Sequence, residues 1–340
     1  RLVEAFRQPE CVIVNEIWWT ATARHADIVF PITTVLERND LMVTKWEPMA
    51  TPMHKAIEPI GESRNDYDVF SELATRLGFR EAFTEGRSEE EWLRHLWNQA
   101  RQRAGEANFE LPDFDVFWKE GPKDVLKAQD KKILLETFRN DPQKNPLSTP
   151  SGKIEIFSDV IAGFRYDDCP GHPVWMEPFE WLGSKAAKNF PLHIISNQPS
   201  TRLHSQLDSG AVSKGSKIND REPMTMNPED AASRGIRTGD IVKIFNDRGS
   251  CLAGVNLSEN IMPGVIQLAT GAWFDPAVPG EIGALCKHGN PNVLTMDKGT
   301  SRLAQGPTAL STLVEVEIFD DDIPTITAHL PPTISSWKED

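Results

Sequence analysis

The sequence predicts an α/β plus β fold, in which the end of a parallel-sheet α/β domain is followed by a small β-barrel domain. Two apolar runs rich in β-branched residues, 11–15 and 26–31, are typical of buried strands in a parallel sheet. From about residue 190, short strands alternate with turn signals and include one brief helix, which is typical of a small closed barrel. The change in sequence pattern near residue 190 therefore indicates an α/β domain followed by a β domain.

The first part of the chain, residues 1–103, contains the two strand runs and two predicted helices. A helix over 65–79 follows from apolar residues at helical spacing, with Phe70 on its apolar face. Ser88 and Glu91 form a capping box, which predicts the beginning of a second helix. We interpret this part as the end of the α/β domain.

Three further stretches follow along the chain. Residues 104–189 are rich in Pro, Asp, Lys and Trp and lack clean periodicity, which predicts an irregular connecting region with short helices. Residues 190–325 hold the predicted barrel, including a short helix that begins at the N-cap Asn227 and ends before Gly235. Residues 326–340 form a C-terminal tail.

Composition excludes several classes of function. The chain has 340 residues, 39% hydrophobic and 25% charged, as in globular proteins. Its formal net charge of -14 argues against nucleic-acid binding, because phosphate neutralisation needs clustered lysine and arginine. No apolar run approaches the roughly 18 residues that a membrane span needs. We therefore expect neither a nucleic-acid partner nor a membrane span.

Cysteine usage predicts neither a zinc ribbon nor an iron–sulfur cluster. Cys11, Cys169, Cys251 and Cys286 are isolated, and none belongs to a Cys-x-x-Cys pair. Isolated thiols of this kind are more often buried than joined in a disulfide framework, so the compartment stays open between periplasm and cytoplasm. The chain opens without an initiator Met or a signal pattern, which fits a piece of a larger protein.

Three polar clusters, around residues 15–40, 197–206 and 288–306, carry the candidate functional residues. They hold uncharged donors and acceptors, a few cations and several glycines, with no nucleophile–base–acid set. This pattern indicates a large polar cofactor that is held rather than attacked, so we expect no catalytic residue and no metal ligand here. Each cluster is also compatible with ordinary turn chemistry. The candidate cofactor-binding residues are Asn15, Thr20, Thr22, Asp27, Asp40, Asn197, Arg202, His204, Ser205, Gln206, Asn290, Asn292, Gln305 and Gly306.

The second and third clusters resemble the C-terminal region of the molybdopterin oxidoreductases of the dimethyl sulfoxide reductase family. The resemblance rests on the strings 197–206, 288–295 and 299–306, and it is greatest to the sulfoxide and amine N-oxide reductases, with biotin sulfoxide reductase as the nearest type. It implies a double-psi barrel topology and a bacterial type of enzyme. It also implies bis(molybdopterin guanine dinucleotide) molybdenum as the cofactor, with the metal ligand outside this chain.

The resemblance also implies roles for individual residues. Asn15 and Thr20 would meet phosphate or ribose, and a carboxylate, Asp27 or Asp40, would accept hydrogen bonds from the guanine. Arg202 offers fork-shaped donors that suit a phosphate. The pterin would be contacted by His204, Ser205 and Gln206, and by the amides and glycines of the third cluster.

The resemblance implies the latter part of a molybdenum enzyme that reduces an S-oxide or N-oxide by oxygen-atom transfer. Candidate substrates are biotin sulfoxide, methionine sulfoxide, dimethyl sulfoxide and trimethylamine N-oxide. Partners would be an electron-donor protein or reduced nicotinamide, and the missing N-terminal portion. Two alternatives remain at this stage: a non-catalytic assembly subunit of the same fold, and another molybdopterin oxidoreductase such as a formate or nitrate enzyme.

Overall fold

The computed structural model describes residues 2–44, 47–125 and 133–332. Its helices, in chain order, are α1 (Leu2–Phe6), α2 (Asp66–Arg76), α3 (Arg80–Thr84), α4 (Glu89–Glu106), α5 (Phe114–Glu120), α6 (Glu136–Asn140), α7 (Asp159–Gly163), α8 (Ala211–Gly215) and α9 (Pro228–Ala232). Its strands are β1 (Ile13–Glu16), β2 (Ile28–Pro31), β3 (Asp40–Val43), β4 (Met49–Met53), β5 (Lys123–Asp124), β6 (Leu192–Ile195), β7 (Pro223–Met226), β8 (Ile241–Asn246), β9 (Gly249–Leu257), β10 (Val265–Leu268) and β11 (Leu313–Ile318).

The chain forms two compact units. The strand–helix unit comprises Ile13–Trp18 and Asp27–Ile154, and the barrel unit comprises the described residues of Arg1–Val12, Trp19–Ala26 and Glu155–Asp340. The predicted connecting region, 104–189, is thus divided between them. The predicted tail, 326–340, lies partly outside the described residues.

The strand–helix unit contains the predicted parallel pair. β1 and β2 run parallel with Ile13 opposite Ile28, which confirms both strands. The expectation that they are buried is wrong, because Ile13, Ile28 and Phe30 are exposed. Within the described residues this sheet has two strands, whereas parallel strands are usually buried in larger sheets with both faces covered.

The helices of this unit begin where the sequence predicts. Ser88 accepts a hydrogen bond from the Glu91 amide, and the Glu91 side chain returns one to the Ser88 amide, which confirms the capping box of α4. α4 and α5 pack through Trp97 and Phe117, whose ring centroids lie 3.7 Å apart. Of the apolar face predicted for α2, Ala74 is buried, whereas Phe70, Leu73 and Leu77 are exposed.

Six strands of the barrel unit close into a barrel in the order β10–β6–β11–β8–β9–β7. β10 pairs parallel with β6, β9 pairs parallel with β7, and the other four pairings are antiparallel. Alternate side chains of these strands fill the barrel interior, among them Ile194, Met224, Ile244 and Ile266. The closed barrel predicted for residues 190–325 is present.

The helix α9 lies between β7 and β8 as predicted. The Asn227 side chain accepts from the Glu229 amide 2.9 Å away, and Pro228 occupies the first helical position. β7 was not predicted, although it completes the barrel between β9 and β10. In the described part of the chain, no helix combines the length and apolar character that crossing a bilayer requires.

The cap of α4 gives a stability prediction. Ser88→Ala removes the acceptor for the Glu91 amide and the donor to the Glu91 carboxylate, so we expect a loss of about 1 kcal/mol. Ser88→Thr keeps the hydroxyl and should recover most of that loss. Urea denaturation of the three proteins measures both differences, and equal stability of the Ala variant and the parent would contradict the role of the cap.

Candidate functional site

The loop 197–208 of the second polar cluster leaves the carboxyl end of β6. β6 and β10 are parallel neighbours, so the segments that follow them emerge at the same end of the barrel. The two segments are joined there, because the Thr270 amide donates to the Asn197 carbonyl at 2.9 Å. In sheets with parallel strands, ligands bind beyond the carboxyl ends. We name residues Asn197–Asp208 the β6 loop.

The β6 loop turns sharply around His204. His204 and Leu207 have positive φ angles of 49° and 56°. The Gln198 side chain clamps the turn, since its Oε1 accepts from the His204 amide at 3.1 Å and its Nε2 lies 2.7 Å from His204 Nδ1. The side chains of His204, Ser205 and Gln206 are exposed, so the turn presents its polar groups outward.

Gly271 allows the turn to lie against the segment after β10. A Cβ at Gly271 would lie 1.8 Å from the His204 carbonyl oxygen, and the φ angle of Gly271 is +96°. The Trp273 indole donates to the Ser205 carbonyl at 2.9 Å. The two segments therefore fix the backbone of the turn and leave its side chains available to a ligand.

A cavity of about 240 Å³ opens beside the start of the β6 loop. The Asn197 side chain lines this cavity, and its Oδ1 atom is buried without a hydrogen-bond partner in the part of the chain that the structure describes. A buried acceptor without a partner costs about 1–3 kcal/mol, so a ligand donor in the cavity would remove that cost. The cavity is lined by Asn197, Pro199, Ser200, Thr201, Ser216, Glu222, Pro223, Thr225, Gln267 and Ala269.

Arg202 belongs to the β6 loop, and its side chain is buried. Its side chain is 0% exposed and contacts Glu222 at 3.0 Å and Asp208 at 3.4 Å. It also donates to Ser213 Oγ at 3.2 Å and to the Thr270 carbonyl at 2.9 Å. All three guanidinium nitrogens thus have protein acceptors, and the phosphate role that the resemblance implies for Arg202 stays a prediction.

Asp208 is the centre of the buried polar cluster behind the loop. Its Oδ1 accepts from Lys217 at 2.8 Å and from Ser213 at 3.2 Å, while its Oδ2 accepts from the Trp273 amide and from His329 Nε2, both at 3.1 Å. Burial alone would raise the pKa of Asp208, but the His329 hydrogen bond and the Lys217 charge hold that pKa far below its ordinary value. Asp208 is therefore a buried carboxylate anion.

Glu222 links this cluster to the third polar cluster. Its carboxylate binds Lys217 at 2.6 Å, and its amide donates to the His288 carbonyl at 3.2 Å. Gly289 passes so close that a Cβ there would lie 2.7 Å from the Glu222 Cβ. The structure thus brings the β6 loop and the turn at 288–290 together across one buried carboxylate.

His288 lies in the same cluster and stays neutral near pH 7. Burial, together with the charge of Lys217, lowers its pKa to about 4, against the opposing effect of Asp208. Its Nδ1 lies 3.1 Å from the Trp273 carbonyl, an acceptor that places the ring proton on Nδ1. Potential metal-ligand atoms of Asp208, His288 and His329 lie within 4.8 Å of one another, but Lys217 already supplies the positive charge at Asp208.

The remaining residues of the third cluster occupy two turns. Asn290 caps a short 3₁₀ helix, Pro291–Val293, by accepting from the Asn292 amide at 2.9 Å, and the Asn292 side chain is exposed. Gln305 is exposed and donates to the Ser301 carbonyl at 3.0 Å within its own turn. The Gly306 carbonyl accepts from the Thr300 amide at 2.8 Å. Local turn chemistry accounts for the backbone of both segments.

The first polar cluster is divided between the two units. Asn15, Asp27 and Asp40 lie in the strand–helix unit, whereas Thr20 and Thr22 lie in the barrel unit. The Asn15 amide donates to Asp66 at 2.9 Å, and Asp40 forms an ion pair with Arg38. Thr20 Oγ1 accepts from the Ala23 amide at 3.2 Å, while Asp27 and Thr22 are exposed.

Sequence reasoning missed the buried charges that support the β6 loop. Asp208, Lys217, Glu222 and His329 stand alone in the sequence, without a motif that joins them. One signal could have found them: these charged residues lie in stretches next to strands of the barrel core. Charged groups that are buried in such a place require partners.

Comparison with known proteins identifies the family. Residues 192–313 match the molybdopterin dinucleotide binding domain, and residues 1–76 match the molybdopterin oxidoreductase domain. This chain belongs to the molybdopterin oxidoreductases. The resemblance inferred from the polar clusters is confirmed, and the matched domain supports a molybdopterin as the class of cofactor.

Several reductases are similar to the chain over nearly its whole length. It is 47% identical to trimethylamine-N-oxide reductase of Haemophilus influenzae, over 97% of this chain and 41% of that protein. It is 44% identical to dimethyl sulfoxide/trimethylamine N-oxide reductase of Cereibacter sphaeroides, over 98% and 41%. It is also 44% identical to trimethylamine-N-oxide reductase 1 of Escherichia coli K12, over 96% and 39%. The chain thus spans about two fifths of the length of these relatives.

A solved structure shares the fold. Acetylene hydratase from Pelobacter acetylenicus superposes with a TM-score of 0.67 at 20% identity, over 93% of this chain and 41% of its own. At that identity the likeness concerns the fold alone.

Close approach at Gly271 gives a prediction for the β6 loop. Gly271→Ala places a Cβ against the His204 carbonyl in a backbone conformation that disfavours side chains, so we expect a loss of about 2–5 kcal/mol. The matched control is Gly283→Ala, which has a φ of +80° with nothing within 4 Å of the added Cβ. It should cost about 1–2 kcal/mol. Equal losses by urea denaturation would show that the His204 contact is unimportant.

The lowered pKa of His288 gives a pH prediction. Because its folded pKa of about 4 lies below the ordinary 6.5, its full contribution to stability is present above pH 6.5 and is lost as pH falls towards 4. From pH 7 to pH 5 the loss is about 2 kcal/mol. His288→Gln, which cannot take up the proton, should show that much less change between the two pH values by urea denaturation. Asp208, Lys217 and His329 face the ring and keep their partners in this variant.

An unchanged pH dependence in His288→Gln would contradict the assignment of a neutral buried histidine. The control is His172→Ala, which removes an exposed histidine of the barrel unit. It should leave the difference between pH 7 and pH 5 as it is in the parent.

Proposed function

We propose that this chain is the cofactor-holding part of a molybdenum-dependent reductase of S-oxides or N-oxides. The similar proteins named above reduce trimethylamine N-oxide or dimethyl sulfoxide according to their names. They cover nearly the whole of this chain at 44–47% identity. A non-catalytic assembly subunit is not favoured, since these relatives are enzymes and the polar residues of the β6 loop remain in place.

The observation that carries the proposal is the cavity beside the β6 loop. It is lined by Thr201, Ser216 and Gln267, and by Asn197, whose buried Oδ1 has no partner among the described residues. Such neutral donors and acceptors suit a nucleotide or pterin edge. This donor set fits a molybdopterin dinucleotide, and we propose the guanine form.

The exposed side chains of the β6 turn would hold the other part of the same group. His204, Ser205 and Gln206 present ring nitrogen, hydroxyl and amide groups on a backbone fixed by Gly271 and Trp273. We extend the same role to Asn290, Asn292, Gln305 and Gly306 in the third cluster. We also propose that residues 190–325 form one domain with double-psi topology, which its mixed parallel and antiparallel pairings allow.

The first cluster would serve a second dinucleotide. Asn15 and Thr20 suit phosphate or ribose, and we propose a cofactor-binding role for Thr22 as well. A carboxylate, Asp27 or Asp40, suits the base. These assignments follow from the family resemblance together with the position of Asn15 near the carboxyl end of β1.

The chemistry belongs to the cofactor, and the protein supplies its environment. When bound, a bis(molybdopterin guanine dinucleotide) molybdenum centre would supply two-electron oxygen-atom transfer from the S-oxide or N-oxide. The residues of this chain would bind and orient the dinucleotide, and the buried ion pairs would keep the β6 loop in one shape. We propose an electron-donor protein or reduced nicotinamide as the source of electrons.

The test uses the complete reductase that contains this chain, with the double variant Asn197→Ala, His204→Ala. Losing two neutral hydrogen bonds costs about 1–3 kcal/mol, which weakens cofactor retention roughly 5- to 150-fold. Molybdenum and pterin content should fall accordingly. Turnover of trimethylamine N-oxide per bound molybdenum should stay within about tenfold of the parent.

The control for this test is Gln102→Ala, an exposed position on α4, which should change neither quantity. Full molybdenum content with turnover abolished would show that Asn197 and His204 act on the substrate. Full content with full turnover would show that the cavity beside the β6 loop holds no part of the cofactor.

A further inference from the structure

Residues Pro324–Leu330 form an irregular segment that charged side chains hold against the barrel unit. Arg24 donates to the carbonyls of Thr327 at 2.7 Å and of Ala328 at 2.9 Å, and also to that of Leu330. The buried Arg221 donates to the Pro324 carbonyl. We name this segment the C-terminal strap.

A second pair of charged residues forms hydrogen bonds with Thr327 in the middle of the strap. The Asp275 carboxylate accepts from the Thr327 amide at 2.7 Å and from its hydroxyl at 2.6 Å. Lys287 Nζ donates to the same hydroxyl at 2.9 Å and to the Thr325 carbonyl at 3.0 Å. Asp275 and Lys287 are both buried, and hydrogen bonds to buried charged groups are stronger than neutral ones.

The strap ends on the buried cluster behind the β6 loop. His329 Nε2 lies 3.1 Å from Asp208 Oδ2. The His329 ring packs edge-on against the rings of Trp273 and His288, with centroids 5.2 Å apart in both pairs. Ala328, next to it, is 2% exposed.

Two routes lead from His329 to the β6 loop. The first is the direct contact with Asp208, the last residue of the loop, which in turn contacts the Arg202 guanidinium at 3.4 Å. The second passes through Trp273, whose indole donates to the Ser205 carbonyl. A side chain that contacts both supports of the loop can restrict both at once.

We propose that the C-terminal strap positions the β6 loop, with His329 as the positioning residue through its contacts with Asp208 and Trp273. The inference rests on the proposed function for its consequence, because the β6 loop is the segment assigned to the cofactor. The positioning itself involves only residues of this chain. Release of the strap should therefore loosen the loop even without a cofactor.

The experiment follows amide hydrogen exchange in the full chain. His329→Ala should speed exchange in Asn197–Asp208 at least about fivefold, while β9 keeps its rate. His172→Ala, which removes an exposed histidine, should change neither segment. Faster exchange confined to the strap itself would overturn the proposal, because the loop would then be held without it.

A second variant decides the matter where His329→Ala also speeds exchange in β9 and so unfolds the barrel. Arg24→Gln releases carbonyls of the strap without altering Asp208 or Trp273. It should speed exchange in both the strap and the β6 loop, by about threefold or more. A faster strap with an unchanged loop in this variant would overturn the proposal.

A parallel measurement in the complete reductase separates this inference from the proposed function. His329→Ala should lower molybdenum content while leaving turnover per bound molybdenum within about tenfold. A looser loop with full molybdenum content supports the strap and overturns the assignment of the loop to the cofactor. An unchanged loop overturns the strap and leaves that assignment intact.

Discussion

The shape of the candidate site depends on one buried carboxylate, that of Asp208. It accepts hydrogen bonds from Lys217, Ser213, His329 and the Trp273 amide, which belong to three separate segments. Removing such a charge from water costs several kcal/mol unless its partners are complete. Each segment is therefore held in the one arrangement that completes the set, and the β6 loop inherits its shape from that arrangement.

The site separates the groups that hold the loop from the groups that face outward. Charged side chains such as Arg202, Lys217 and Glu222 are paired behind the loop. The neutral side chain of Asn197 lines the cavity, and the His204 side chain is exposed at the outer surface. Because the charges are mutually neutralised, the ligand meets hydrogen-bonding groups of fixed geometry, and that geometry decides which ligand fits.

Local signals in the sequence were sufficient for elements whose cause is local. The capping box at Ser88, the cap at Asn227 and the β-branched runs at β1 and β2 each depend on neighbouring residues, and all are present. Tertiary environment decided the rest. β7 is four residues that begin with a proline, too short for its alternation to stand out. Arg202 has a guanidinium group that suits a phosphate, yet the carboxylates of Asp208 and Glu222 lie against it.

The pairing of β6 with β11 has a consequence for biosynthesis. Leu192 lies opposite Val314, so the two paired residues are about 120 residues apart in the chain. The other neighbour of β6 in the barrel, β10, also follows it in the sequence. Closing such long loops makes the barrel slow to form. During translation, β6 emerges from the ribosome well before either neighbour, and its edges stay unpaired until β11 follows. The polypeptide therefore completes this barrel only after β11 has been synthesised.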